Sequence, residues 1–386
     1  AGRAHGPATV AGGRLHRQDA GQPRQGVPGQ VAAAAALPSH KTLDLWPATG
    51  YCLPPYACAF DFMPQACYHY LLRMTEQTSP AARKAAPLPQ LDGVLVLNKP
   101  SGPTSARCLS ALKRLGQRKI GHAGTLDPLA AGVLPVFTGM ATRFLEYAAH
   151  EEKSYRAELT FGFQTDTGDT EGAVIAESPV RDLTAEEIEA ALASFRGEGT
   201  QIPPMYSAIS VGGTKLYKLA RQGIEVKREP RPITLYELEK VDYTGKTLVF
   251  DVTCSKGTFI RTLCEDLAAK LGMKGTMSFL LRRRAGVFRL EDAHTLQEIA
   301  ADPEGCCMGV EPILAGFPKK IVNALQGRRI AQGVATTLPG LTEGTLYQLW
   351  TRDGVLVGLA RAVDGRLRAH KIIHIPDVET RTEEQP

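Results

Sequence analysis

The sequence predicts an α+β chain that ends in a small all-β module. Two observations set this class. From about Asp92 to Arg289, apolar strand-like runs and amphipathic helical segments are mixed without the regular βαβα rhythm of a doubly wound sheet. From roughly residue 317 to 376, short alternating runs follow one another, separated by Asp-Gly pairs that favour tight hairpins.

In chain order, the first 73 residues stand apart. They contain no Glu, no Ile and a single Lys, are rich in Ala, Gly and Pro, and show neither a helical nor an alternating apolar period. Met74 then opens Met-Thr-Glu-Gln-Thr-Ser-Pro, an ordinary N-terminal composition. Residues 1–73 are therefore expected to be non-native upstream sequence, with translation starting at Met74. A disordered native extension and a targeting peptide are the rival readings. Arg3, Arg14, Arg17 and Arg24 favour the targeting peptide, whereas the Pro and Gly oppose an amphipathic targeting helix. Cys52, Cys58, Cys67 and His69 cluster, but not at the spacing of a zinc finger.

The organised chain begins near Asp92. Val94-Leu95-Val96-Leu97 reads as a strand running into the turn-rich Asn98-Lys99-Pro100-Ser101-Gly102-Pro103. Residues 153–163 alternate, with Tyr155, Ala157, Leu159, Phe161 and Phe163 on one face of a half-buried strand. Thr184 and Glu187 form a capping box ahead of a helix whose apolar face is Ile188, Leu192 and Phe195. Leu248, Phe250, Val252 and Cys254 alternate again. The turn Ser255-Lys256-Gly257 then leads into an amphipathic helix carrying Ile260, Leu263, Leu267 and Leu271, stopped by Gly272. In the C-terminal module, residues 346–350, 355–361 and 366–373 read as strands joined at Asp353-Gly354 and Asp364-Gly365.

Composition excludes several classes. No run approaches the ~18 consecutive apolar residues of a membrane helix, and there is no secretory signal pattern. Eight cysteines without a repeating spacing or a C-x-x-C pair point to a reducing cytoplasm. The net charge is +5, but residues 74–386 hold 39 Lys and Arg against 37 Asp and Glu, which permits basic patches without announcing a nucleic-acid partner. Signatures of phosphate-binding loops, dinucleotide-binding turns, zinc hydrolases and nucleophile elbows are missing.

Three segments carry chemistry. Gly121-His122-Ala123-Gly124-Thr125-Leu126-Asp127-Pro128-Leu129-Ala130-Ala131-Gly132 joins three glycines to a titratable His–Asp pair, readable either as a turn or as a reactive loop. Lys256-Gly257-Thr258-Phe259-Ile260-Arg261 places an arginine at the start of a helix, free on the surface or paired with a carboxylate from another loop. Around Gly212-Gly213, Tyr206, Tyr217, Lys215, Lys218 and Arg221 interleave aromatics with cations, as where bases stack and phosphates are held, or as in a hairpin beside solvated charges. Arg282-Arg283-Arg284 reads as solvated surface.

Taken together these motifs resemble, in order and from about Asp92 to Arg289, the TruB family of tRNA pseudouridine synthases. The resemblance rests on Asn98-Lys99-Pro100-x-Gly102, Gly121 to Pro128, Tyr206-Ser207-Ala208 with Lys215 to Gly223, and Cys254 to Thr262; a looser likeness covers the C-terminal module. It implies a pseudouridine-synthase fold with a mixed, largely antiparallel central sheet and flanking helices, spanning residues 74–312, followed by a PUA-like RNA-binding domain over 317–376. It also implies isomerisation of the T-loop uridine of tRNA (position 55) by base flipping, with no cofactor and no metal. On this basis Asp127 is the catalytic aspartate, as nucleophile or base; Arg261 pairs with it; and Tyr155 stacks on the target base and assists proton removal from its carbon. His122 fills the space left by the flipped nucleotides, and Tyr217 and Leu238 contact substrate. Lys99, Pro100, Gly121 and Gly124 support the loop. The expected partner is the tRNA T-stem-loop, bound by a monomer without a protein partner. Two readings compete: an RNA-binding protein without activity, and a related enzyme acting on ribosomal or guide-directed targets. Ala106-Arg107 and Phe259 depart from the family pattern, and the leader has no counterpart in it.

Overall fold

A computed structural model describes residues 88–149 and 151–377; the expectations for residues 1–73 lie outside the described residues. The central sheet is built from β1 (Val94–Lys99), β2 (Ile120–His122), β3 (Ala131–Thr138), β4 (Lys153–Phe161), β5 (Gly197–Gln201), β6 (Arg231–Tyr243), β7 (Thr247–Cys254), β8 (Gly275–Ala285), β9 (Phe288–Arg289) and β10 (Cys307–Met308). Their order is β10-β1-β3-β8-β4-β7-β6-β5, with β2 on β3 and β9 on β8. Every pairing is antiparallel except β3 with β8. The sheet is therefore mixed and largely antiparallel, in agreement with the α+β expectation.

The alternation of β4 is realised residue by residue: Tyr155, Ala157, Leu159 and Phe161 are buried on one face. They share one apolar cluster with Leu248, Phe250, Val252 and Cys254 of β7 and with Ile260, Leu263 and Leu267. Each such aliphatic or aromatic side chain contributes on the order of 1.5–3 kcal/mol by leaving water. The strand stops at Phe161 rather than Phe163. Gly162 has φ +109°, a conformation that suits glycine and turns the chain, and Phe163 opens a separate hairpin with Val174–Glu177.

The three longest helices among the described residues flank this sheet. Helix α1 (Ser105–Arg114) is capped by Thr104, whose hydroxyl accepts from Arg107 N. Helix α2 (Ala185–Ala193) starts at the predicted Thr184/Glu187 capping box, with both reciprocal bonds made. Helix α3 (Ile260–Lys270) ends at Leu271, and Gly272 comes next with φ +78°.

A second sheet holds β11 (Lys319–Val322), β12 (Thr336–Thr337), β13 (Leu346–Thr351), β14 (Leu356–Val363) and β15 (Arg366–Ile372), ordered β11-β13-β14-β15-β12. Asp364 and Gly365 both have positive φ, 53° and 68°, as a type I′ turn requires. This module is a β-sheet domain, as expected, and it also carries one helix of eight residues. Helix α4 (Ala324–Ala331) sits within it, started by an Asn323/Gln326 capping box that the turn-based reading passed over. The module shares core with the first sheet: Leu356 and Leu359 pack in one cluster with Phe137 and Phe144. Arg143 Nη1 donates to Ile372 O at 3.0 Å, and Lys371 pairs with Glu146 at 3.1 Å.

Candidate active site

The Gly121 to Gly132 segment spans from β2 into β3, and its loop is fixed from several sides. Ser105, buried at the start of α1, donates through Oγ to Leu126 O at 2.8 Å and accepts from Leu126 N at 2.9 Å. Gly102 N and Ser101 Oγ donate to Pro128 O and Leu129 O, both at 2.8 Å. Lys99 is fully buried, and its ammonium donates to Pro100 O at 2.9 Å, Pro128 O at 3.2 Å and Ala130 O at 2.6 Å. Burial lowers its pKa to about 8. Arg282, 1 % exposed, donates to Val133 O at 2.7 Å and Gly124 O at 3.0 Å, with a longer contact to Thr125 O at 3.5 Å. Gly132 has φ +99°, and a Cβ there would collide with the Arg282 carbonyl. Gly124 has φ +86°, and a side chain at Gly121 would meet Leu145. These contacts leave Asp127 projecting from a rigid loop.

Arg261 meets Asp127 from the first turn of α3. The start of α3 is pinned by Gln201, which accepts from Phe259 N at 2.8 Å and donates to Phe259 O at 3.0 Å. Arg261 Nε lies 3.0 Å from Asp127 Oδ2, while Nη1 donates to Thr167 O at 2.6 Å and Nη2 to Tyr206 O at 2.7 Å. The guanidinium is 5 % exposed and the Asp127 carboxylate 38 %, so the arginine is fixed and the acid faces outward. Asp169 Oδ2 stands 4.0 Å from the same Nε and is itself 6 % exposed. Thr167 Oγ1 and Glu171 N both donate to its Oδ1. Burial pushes the Asp169 carboxyl up, with Thr167 and Arg261 opposing.

A cavity of about 390 Å³ opens over this pair, lined by Asp127, Arg261, Tyr155, Lys153, Ser207 and Phe259 among others. Its apolar walls include Leu126, Ile209, Ile260 and Leu280, and Lys153, Ser207 and Arg282 add polar groups beside Asp127 and Arg261. Tyr155 forms part of the floor; burial pushes its phenol up, with Arg282 opposing. Arg282 is the register partner of Tyr155 across β4 and β8.

The structure thus brings together Asp127, Arg261, Tyr155 and Gly124 at one cavity, with Lys99, Pro100 and Gly121 behind the loop. His122 sits at the end of β2 with its Nδ1 buried and unpartnered among the described residues, and burial lowers its pKa. Tyr217 is half-buried in the segment after the Ser210–Val211/Thr214–Lys215 hairpin, with Arg221 over its ring at 5.6 Å. Leu238 requires a correction: its side chain is fully buried in the main apolar cluster, inward on β6, so it packs the core and presents nothing to a substrate. Arg282 requires another: it is buried under the loop and not solvated, whereas its neighbour Arg283 pairs with Asp251 at 2.9 Å on the outer face.

Sequence reasoning missed Ser105, Lys153, Asp169 and Leu280. Asp169 lay in a visible Asp166-Thr167-Gly168-Asp169 turn, but nothing local pairs that turn with α3. Leu280 and Arg282 escaped because β8 carries a bulge between Met277 and Phe279, which reverses the inward parity of the later residues of the strand. Among the described residues no group of three or more His, Cys, Asp or Glu is placed to hold a metal ion.

Comparison with known proteins bears on this geometry. Residues 113–260 match the family model for the TruB family pseudouridylate synthase N-terminal domain, and residues 261–304 that for the tRNA pseudouridylate synthase B C-terminal domain. The tRNA pseudouridine synthase B of Caldanaerobacter subterraneus subsp. tengcongensis is 41% identical over 286 residues, covering 73% of this chain and 99% of that protein. Its counterpart in Moorella thermoacetica is 43% identical over 301 residues, with the same coverage of 73% and 99%. A solved Cbf5–Nop10–Gar1 complex contains a chain similar at a TM-score of 0.56 and 24% identity, covering 74% of this chain and 88% of that one, a likeness of fold.

Proposed function

The chain belongs to the TruB family and is a pseudouridine synthase, an isomerase, and from this premise we propose that its substrate is the T-loop uridine of tRNA (position 55), reached by base flipping. The observation that carries the reading is the Asp127–Arg261 pair, 3.0 Å apart at a cavity floored by Tyr155. A uridine stacked in an RNA loop hides the atoms that must react, so it has to leave the stack to reach Asp127. The isomerisation breaks the N1–C1′ bond and makes a C5–C1′ bond, a redox-neutral exchange that calls for no co-substrate. A single positioned carboxylate serves it, either as nucleophile or as base. Arg261 and the rigid loop hold that carboxylate where the ribose arrives, which is the contribution of pre-organisation.

Tyr155 stacks on the flipped base, and its hydroxyl takes part in removing the proton from the base carbon. His122 occupies the space vacated in the RNA loop, and Tyr217 with Arg221 contacts the strand that flanks it. Residues 74–312 form the catalytic domain and 317–376 the RNA-gripping module. Exposed Lys319, over the half-buried Trp350 at 4.7 Å, gives that module a cation beside an aromatic suited to the phosphates and shape of a tRNA stem. The protein acts as a monomer, without a protein partner, in the cytoplasm; among the described residues no helix is long and apolar enough to cross a membrane.

The test is to incubate the full chain with an unmodified T-stem-loop RNA and with ribosomal RNA fragments, and to map pseudouridine in each. The reading expects product at the single T-loop uridine. Tight binding without product, or conversion of ribosomal fragments alone, would contradict it.

A further inference from the structure

Lys153 opens β4 two residues before Tyr155, on the same face of the strand, and lines the same cavity as Asp127. It is 7 % exposed. Its ammonium donates to Ala149 O at 3.1 Å and to Glu151 O, both neutral carbonyls. A lysine carries three N–H donors, so one remains after these two bonds. Its aliphatic stem lies against the catalytic loop: a Cβ at Gly124 would stand 3.9 Å from Lys153 Cε. Arg282 is held in the same way by carbonyls alone, of Val133 and Gly124. The cavity is thus lined by four cations, Lys153, Lys256, Arg261 and Arg282, and by one carboxylate, Asp127, which lies on Arg261, as does Asp169 outside the lining. Two buried cations with no carboxylate in ion-pair contact are expensive for a fold to keep, and they sit where the target base would lie.

Resting on the pseudouridine-synthase reading, we propose that Lys153 is a catalytic residue whose ammonium, backed by Arg282, holds the negative charge that uracil carries while it is detached from the ribose. When the N1–C1′ bond breaks, its electron pair stays on the uracil and spreads over N1, O2 and O4. The base then turns, C5 bonds to C1′, the C5 proton leaves and N1 gains one, so the product has the composition of the substrate. The charge exists only between these bond changes. A cation fixed beforehand in a partly dry cavity stabilises it without reorganising, whereas the neutral starting uridine gains little from it.

The groups facing Lys153 are Arg282 from β8, Cys254 from β7, Glu151 from the preceding turn and Lys256 from the loop before α3. Burial, then Arg282, lowers the Lys153 pKa to about 8, while burial raises the Cys254 thiol to about 11. The lysine therefore loses its charge in an accessible range while the thiol beside it stays neutral.

The experiment is single-turnover pseudouridine formation in a T-stem-loop RNA at saturating full-length enzyme from pH 6.5 to 9.5, with RNA affinity measured alongside. The wild-type rate is expected to fall on the alkaline side, at or above pH 8. Lys153→Arg, always charged, is expected to lose that fall. Lys153→Gln is expected to be slower by about 100-fold, the scale of one lost charge-stabilising donor, with RNA affinity within about twofold of wild type. An alkaline fall that persists unchanged in Lys153→Arg would overturn the proposal, because it would then belong to another group. So would a Lys153→Gln rate within about threefold of wild type. Absence of product from the wild-type enzyme would instead refute the function itself, which separates the two failures.

Discussion

Ser105→Ala isolates the rigidity of the loop that carries Asp127. The hydroxyl is buried, donates to Leu126 O at 2.8 Å and accepts from Leu126 N at 2.9 Å, and so satisfies both backbone groups of the residue before Asp127. Alanine fits the same space and removes only the oxygen. Each buried backbone group left unpaired costs about 1–3 kcal/mol; with partial relaxation of the loop the two together give a loss of about 2–4 kcal/mol. Part of that loss will appear as local opening and not as global unfolding, because the loop is also tied by Lys99, Ser101, Gly102 and Arg282. Urea unfolding gives the global share, and hydrogen exchange at the Leu126 amide gives the local one. Single-turnover rate should fall at least about tenfold as the carboxylate loses its fixed position. A variant within about 0.5 kcal/mol of wild type, with unchanged exchange at Leu126 and full activity, would show that Ser105 does not hold the loop.

Two further outcomes arise from the buried cations. Arg282→Met removes the fork that ties β8 to Val133 O and Gly124 O; relief of a buried charge offsets part of the loss, leaving a destabilisation of about 2–4 kcal/mol by urea unfolding, with lower turnover. Equal stability with full activity would remove Arg282 from the account. Lys99 and Lys153 both have folded pKa values lowered to about 8 from an ordinary 10.5. Above pH 8 the unfolded chain therefore keeps protons that the folded chain has released, so their contribution makes stability rise with pH. The raised thiols of Cys108, Cys254, Cys264, Cys306 and Cys307 act in the opposite sense, because unfolded thiols begin to ionise about a unit below their ordinary value of 9.0 while the buried ones stay neutral. Because the thiols are common to both proteins, the difference isolates the lysine: from pH 7.5 to 8.8 the urea midpoint of the wild type should gain on that of Lys99→Met, and parallel pH dependences in the two proteins would contradict the assignment.

Much of the fold was legible because its signals are local. The alternation of residues 153–161, the Thr184/Glu187 box, the apolar stripe of α3 ended by Gly272, and the Asp364-Gly365 turn each depend on residues a few positions apart. The Asp127 loop was visible through its glycines and its neighbours, and Arg261 through the turn that starts its helix. The features that escaped depend on register or on distant partners. A bulge after Met277 turns Leu280 and Arg282 inward and leaves Arg282 beneath the loop, although a run of three arginines reads as solvated surface. A second bulge, between Leu235 and Glu237, accompanies the inward placement of Leu238 in the core. Asp169 reaches Arg261 from a turn 92 residues earlier in the chain, and Ser105 reaches Leu126 across 21 residues, separations at which no periodicity operates.

The measurement that tests the central claim most directly is conversion of the T-loop uridine in an unmodified tRNA transcript by the full chain beside its Asp127→Asn form. In the proposed reaction the Asp127 carboxylate meets the flipped nucleoside and not the phosphates that dominate affinity, so the two proteins should bind the tRNA within about threefold of one another. The account predicts one pseudouridine per tRNA from the wild type and none from Asp127→Asn. Comparable turnover by Asp127→Asn would remove the carboxylate from the chemistry, and product at other uridines with the T-loop untouched would contradict the assigned substrate.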